Sequence, residues 1–389
     1  MVRKTVAEIN QYEGTTVNPM QSPEQVYELY SVPSFDTEYP EIIAGADIGS
    51  SKVTVQEGDV LICKINPRIN RVWVVKHNTE HPLLASSEWI VVRNPGMDSD
   101  YLRWYFSSST FRTLLNSEVA GIGGSLTRAQ PKRVAQYTVP ICPFEEQQRI
   151  SASLNQVESL ISLRKQQIAK LDELVKARFV EMFGDPVSNP KGWDKVNIST
   201  VVGSKVSNGF FAKRDDYCDD GNVSVLGVAH VVNRMYSNTV DLPKTNGSAA
   251  DVAKYGVKYG DMLFCRSSLV AEGIGKASIV PQDVPENVLF ECHVIRLPLD
   301  LEKCVPEFMQ VLSTTEYFRS QVIAQSKTAT MTTIGQDGIL KTEIILPPLE
   351  LQKHFQQFVA QTDQQKLTIQ YSLAQLELLK KALMQKYFG

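Results

Sequence analysis

The stretch from Pro143 to Gly184 recurs at the end of this chain, from Pro348 to Gly389. "PFEEQQRI" (143–150) returns as "PLELQKHF" (348–355), 205 residues later, and the correspondence runs without a gap to the end of the sequence. Leu171 pairs with Leu376, Leu174 with Leu379, Lys176 with Lys381 and Ala177 with Ala382, and the stretch closes with Phe183-Gly184 against Phe388-Gly389. Upstream the echo is fainter. "VQEGDVLICK" (55–64) resembles "VKYGDMLFCR" (257–266) at an offset of 202, and "VVR" (91–93) resembles "VIR" (294–296) at 203. Drifting offsets imply loop insertions between matching elements. Two units of this length are far longer than solenoid repeats. The chain therefore reads as an internal dimer, which suits 389 residues, more than a single core usually serves.

Each half divides again. Residues 1–142 and 192–347 mix short apolar runs with turn residues. "DVLICKI", "VWVVK", "WIVVR", "VSVLGV" and "VIRLPL" are strand-like, whereas "YLRWYFSSSTFRTLL" and "PEFMQVLSTTEYFRSQVI" read as helical. Residues 143–184 and 348–389 read as one long helix each, and 185–191 as a Gly/Pro-bounded linker that ends the first. Pro143 suits a first helical turn, and Glu145 and Glu146 favour a helix N-terminus.

Both helices carry a heptad. Ile150, Leu154, Val157, Ile161, Ile168, Leu171, Val175 and Met182 follow steps of four and three, with Arg164 and Arg178 interrupting. The second stripe runs Phe355, Val359, Thr362, Lys366, Ile369, Leu373, Leu376, Lys380, Leu383 and Tyr387. Matched stripes of equal length call for each other. Related units in a closed arrangement are usually two-fold symmetric, and helices related that way run antiparallel. The expected architecture is α+β: two pseudo-two-fold-related α/β globules separated by a pair of long antiparallel coiled-coil helices. The weak point is the start, where "MVRKTVAEINQYEG" matches the opening of the second globule, "GWDKVNISTVV" (192–202), poorly.

Catalytic signatures are missing. "EGIGKAS" (272–278) lacks the earlier glycine of a phosphate loop, "GIGG" (121–124) is not a dinucleotide fingerprint, and there is no H-E-x-x-H or G-x-S-x-G. No Asn/Asp-Pro-Pro-aromatic tetrapeptide of the amino-methyltransferase kind occurs either. Asp59 and Asp261 follow matching glycines, which suits strand-initiating turns better than bases. Cys63 and Cys265 sit in matching apolar strands and read as small buried hydrophobes. The six cysteines form no C-x-x-C pair, and the five histidines have no zinc-finger spacing. We expect reduced thiols, no metal, no membrane span, no secretory signal and a cytoplasmic protein.

What remains is binding. Net charge is −3, which argues against indiscriminate coating of nucleic acid but leaves room for local basic patches. In the first half, Lys64, Arg68 and Arg71 fall in a run without acids between Asp59 and Glu80. Ser125, Thr127, Arg128 and Lys132 fall in another, from Val119 to Phe144. In the second half, Asn208, Phe210, Lys213 and Arg214 form one group, Arg266 and Lys276 a second, and Lys327, Thr328, Thr330 and Thr332 a third. Cations and hydroxyls on loops suit phosphate contact and base-edge reading.

These features together, the proline-to-helix motif occurring twice above all, resemble the specificity subunit of type I restriction–modification systems over essentially the whole chain. The resemblance implies two target-recognition domains, each reading half of a split DNA site, with the paired helices holding them apart and docking two modification (methyltransferase) subunits. S-adenosylmethionine, ATP and Mg would belong to the modification and restriction subunits, and this chain would be no enzyme. The alternatives are a fused type II-like enzyme, which the missing motifs oppose, and a purely protein-binding coiled-coil scaffold, which the basic loops oppose.

Overall fold

The computed structural model describes residues 2–117, 127–328 and 331–389. It forms two compact units, Met1–Lys165 with Gln370–Gly389, and Gln166–Ile369. Two helices of 40 residues, Phe144–Phe183 and Leu349–Phe388, each contribute to both units.

In the first unit, strand Val60–Cys63 lies between Val72–Val74 and Trp89–Val92, all antiparallel. A five-stranded sheet adjoins it in the order Thr16–Val17, Lys52–Thr54, Leu83–Ser86, Val26–Tyr30, Glu41–Ala44. In the second unit, Asp261–Cys265 lies between Ala277–Ile279 and Val294–Pro298. The central strands start identically. Gly58 (φ +87°) and Gly260 (φ +94°) adopt the left-handed conformation that costs glycine little. The Asp59 and Asp261 carboxylates then accept from the Gln56 and Lys258 N–H groups at 2.9 and 3.0 Å. Both aspartates are buried turn residues, and Arg93 closes on Asp59 with two 2.6 Å hydrogen bonds.

The N-terminus corrects the sequence reading. Val2–Thr5 pairs antiparallel with Thr138–Ile141, and Asp194–Asn197 pairs in the same way with Glu343–Leu346. Immediately after, Val6 N–H donates to Tyr137 O, and Ile198 N–H to Thr342 O. Val6 and Ile9 are buried as Ile198 and Val201 are. The two openings are therefore equivalent. Identity hides this because the strands are mostly exposed and few positions are constrained.

The repeated motif is explained at its glutamine. Gln147 accepts from Asp98 N–H at 3.0 Å and donates to Cys142 O at 2.8 Å. Gln352 accepts from Val305 N–H at 2.9 Å and donates to Pro347 O at 2.8 Å. Both side chains are buried. Each ties the carbonyl two residues before its long helix to the start of a helix in the globule, Ser99–Phe106 or Pro306–Ser313. Those helices break at Ser107-Ser108 and Thr314-Thr315, where Ser108 and Thr315 side chains accept from Phe111 and Phe318 N–H and start the next helix.

The far end of each long helix docks on the same globule helices. Phe388 packs edge-on against Tyr101 and Tyr105, and Phe183 against Phe308 and Phe355. Within each unit the long-helix segments run antiparallel. In the first, Glu158 meets Lys380 at 3.1 Å and Lys165 meets Glu377 at 3.6 Å. In the second, Asp172 meets Lys366 at 2.7 Å, and Phe179 meets Phe355. Ile150, Leu154, Val157, Ile161, Val175, Phe355, Val359 and Thr362 are buried, and Ile168, Leu171, Ile369, Leu373, Leu376 and Leu383 are half-buried. The polar interruptions are used. Arg164 donates to Ser372, Arg178 lies over Phe358, and Lys380 lies over Trp104.

Gln352→Leu removes the side-chain partner of Val305 N–H, Pro347 O and Lys303 O, and is expected to destabilise the second unit by about 1–3 kcal/mol for each backbone group left unsatisfied. Denaturant unfolding would measure it, and a surface control such as Gln357→Leu should change little.

Candidate nucleic-acid interface

The strand that begins at the Gly-Asp turn delivers the basic residues. After Cys63 the chain is laced to two neighbours. Lys64 N–H donates to Glu88 O at 2.9 Å, Lys64 O accepts from Ala129 N–H at 2.9 Å, and Asn66 N–H donates to Thr127 O at 3.0 Å. After Cys265 the lacing repeats. Arg266 N–H donates to His293 O at 2.8 Å, Arg266 O accepts from Ile334 N–H at 3.0 Å, and Ser267 pairs with Thr333. Each unit thus brings the loop after its central strand against the segment before its last short helix, Pro131–Val134 or Gln336–Leu340.

In the first unit this gathers Lys64, Arg68, Arg71, Thr127 and Arg128 on adjoining backbone, with Lys132 on the short helix. Arg68, Arg128 and Lys132 are exposed, and Lys64, Arg71 and Thr127 half-buried. Runs without acids in sequence are not without acids in space. Arg71 lies 3.9 Å from Asp36, and Arg128 pairs with Glu88 at 3.2 Å, because folding brings acidic residues from other segments alongside. Ser125 lies outside the described residues, as does Thr330.

In the second unit, Ser267–Ser268, Thr332–Thr333 and Lys327–Thr328 form a small antiparallel sheet. Lys327 and Thr328 are exposed on it, but Thr332 is buried and its hydroxyl is 3.0 Å from that of Thr328. Thr332 braces the sheet and is not presented to a ligand. The Arg266 guanidinium donates to Cys292 O at 3.2 Å, and Lys276 to the Asn233 side chain at 2.8 Å. Asn208 pairs with Ile295 at the edge of the main sheet. Phe210 bridges to Glu291 and packs edge-on against Tyr255, so Phe211, 68% exposed, is the phenylalanine that faces solvent. Lys213 and Arg214 are exposed beside Asp215 and Asp216. The segment 290–293 is the common neighbour of Phe210 and Arg266.

Sequence reasoning missed Arg319. From helix Glu316–Ala324 it donates to Glu272 O at 3.0 Å and holds the loop that follows Arg266. A single arginine on an amphipathic helix gives no sequence signal.

Burial pushes the Cys63, Cys265 and Cys304 thiols up, away from the thiolate. Among the described residues, no group of three or more His, Cys, Asp or Glu is placed to hold a metal ion, and no helix is long and apolar enough to cross a membrane. Alkylation of the native protein at pH 8 is expected to spare Cys63, Cys265 and Cys304, and denaturant to expose all three. Peptide mass spectrometry would read this out, and rapid native labelling of Cys265 would contradict its placement.

No known protein-family profile matches the chain. Among curated proteins it is 24% identical over 323 residues to the type I restriction enzyme MjaVIII specificity subunit of Methanocaldococcus jannaschii, covering 79% of this chain and 72% of the relative. Among solved structures, it matches the type I restriction–modification S subunit from M. genitalium with a TM-score of 0.59 at 9% identity, covering 100% and 96% of the two chains. A chain from a type I R-M system structure, solved to describe complex assembly and conformational transition, matches with a TM-score of 0.56 at 16% identity, covering 100% and 97%. The fold is that of type I specificity subunits.

Proposed function

We propose that this chain, a relative of type I specificity subunits by sequence and by fold, is the non-catalytic DNA-reading subunit of a type I restriction–modification complex. Each unit reads one half of a split double-stranded site, and the long helices dock two modification subunits and, through them, the restriction subunits. S-adenosylmethionine serves methylation on the modification subunits, and ATP with Mg serves the restriction subunits. The observation that carries this reading is the repeated loop construction. At the same landmark in both units, cations and hydroxyls sit on backbone fixed by the same hydrogen bonds.

The modest net charge of −3 fits such a role, because sharing phosphate neutralisation with partner subunits leaves this chain to supply local contacts.

Exchanging residues 192–347 for the equivalent domain of a relative is expected to change one half-site and leave the other intact, as read by mapping methylated adenines with modification subunits present. If both halves changed, or neither did, the assignment of one half-site to each unit would fail. Replacing Lys213 and Arg214 together by Ala is expected to weaken binding to all sequences alike. The slope of log affinity against log salt should fall by about 0.9 for each phosphate contact removed.

A further inference from the structure

Leu269 is 83% exposed, and Val270 beside it is 58% exposed. They stand in the loop between Arg266 and Lys276, directly after Ser267 and Ser268 of the small sheet, whose opposite edge strand carries Thr328. Isolated exposed apolar residues are ordinary, but this loop is fixed in place. Gly275 N–H donates to Cys265 O at 2.8 Å, Gly273 N–H to Val270 O at 3.1 Å, and Arg319 to Glu272 O at 3.0 Å. Two aliphatic side chains are thus exposed on a backbone fixed at several points.

The first unit does the same thing at the same landmark. Ile69, 53% exposed, tops the turn Asn66–Asn70 between Arg68 and Arg71. That turn is closed by Ile69 N–H to Asn66 O at 2.9 Å and anchored by the Asn70 amide on Phe106 O at 3.0 Å. The two loops share no sequence, "NPRIN" against "SLVAEG", yet both raise an aliphatic group between two cations of the chain, Arg68 and Arg71 in one and Arg266 and Lys276 in the other.

We infer that Ile69 in one unit and Leu269 with Val270 in the other are specificity-determining contacts that read thymine through its C5-methyl group in the major groove. The inference rests on the DNA-reading function proposed above. The surrounding cations match phosphate, the hydroxyls match base edges, and the thymine methyl is the apolar feature of the major groove.

The test uses the full chain with its modification subunits and a duplex bearing its mapped site. Deoxyuridine replaces thymidine one position at a time in the half-site assigned to the second unit, which removes the methyl and keeps the pairing. At one or more positions affinity is expected to fall about three- to fivefold, the worth of one buried methyl. Leu269→Ser with Val270→Ser, on an exposed loop, should keep the thermal unfolding midpoint and bind thymidine and uridine duplexes alike. A half-site without thymine, or equal binding of both duplexes by the unaltered chain, would overturn the inference while leaving DNA reading intact. So would a double variant that still discriminates. Failure of the complex to bind any duplex would instead sink the proposed function, and this inference with it.

Discussion

One buried glutamine holds each long helix to the globule that precedes it. Gln147 and Gln352, both buried, each satisfy one backbone acceptor at the strand exit and one donor at the start of a globule helix. A buried amide with both ends bonded fixes direction as well as position, because reversing it would face donor to donor. The direction in which each long helix leaves its globule is set there. The heptad seam and the docking of the helix ends build on that direction, and this is why the proline-to-glutamine motif occurs twice.

The helix ends complete each unit. Phe388 fills an aromatic site on helix Ser99–Phe106, and Phe183 fills the corresponding one on Pro306–Ser313. Each unit therefore holds the beginning of one long helix and the end of the other. An inserted residue would shift Phe183 or Phe388 and turn the stripe by about 100°. The repeat from Pro143 runs without a gap for that reason, whereas the globules, whose loops tolerate insertions, drift in offset.

The loops show the complementary principle. Their backbone attachment is the same in both units, through Lys64 or Arg266 to the segments after Thr127 or Thr332. Their side chains differ almost completely. The frame is fixed and the side chains on it vary, whereas the long helices keep their length and register between the two copies.

Periodicity and repetition in the sequence determined the larger plan. The two globules, the two helices, the paired stripe, the Gly-Asp turns and the buried cysteines are all local or periodic signals, legible because packing forces the same residue type back at fixed intervals. Tertiary structure alone decided the rest. It paired Val2–Thr5 with Thr138–Ile141, turned Thr332 inward, set Phe210 against Tyr255 and left Phe211 exposed, and set Asp36 and Glu88 against basic runs that contain no acid. It also placed Arg319 beneath a loop forty-odd residues away in sequence. Those outcomes depend on which segments meet across long separations, and a contact made once leaves no period in the chain that makes it.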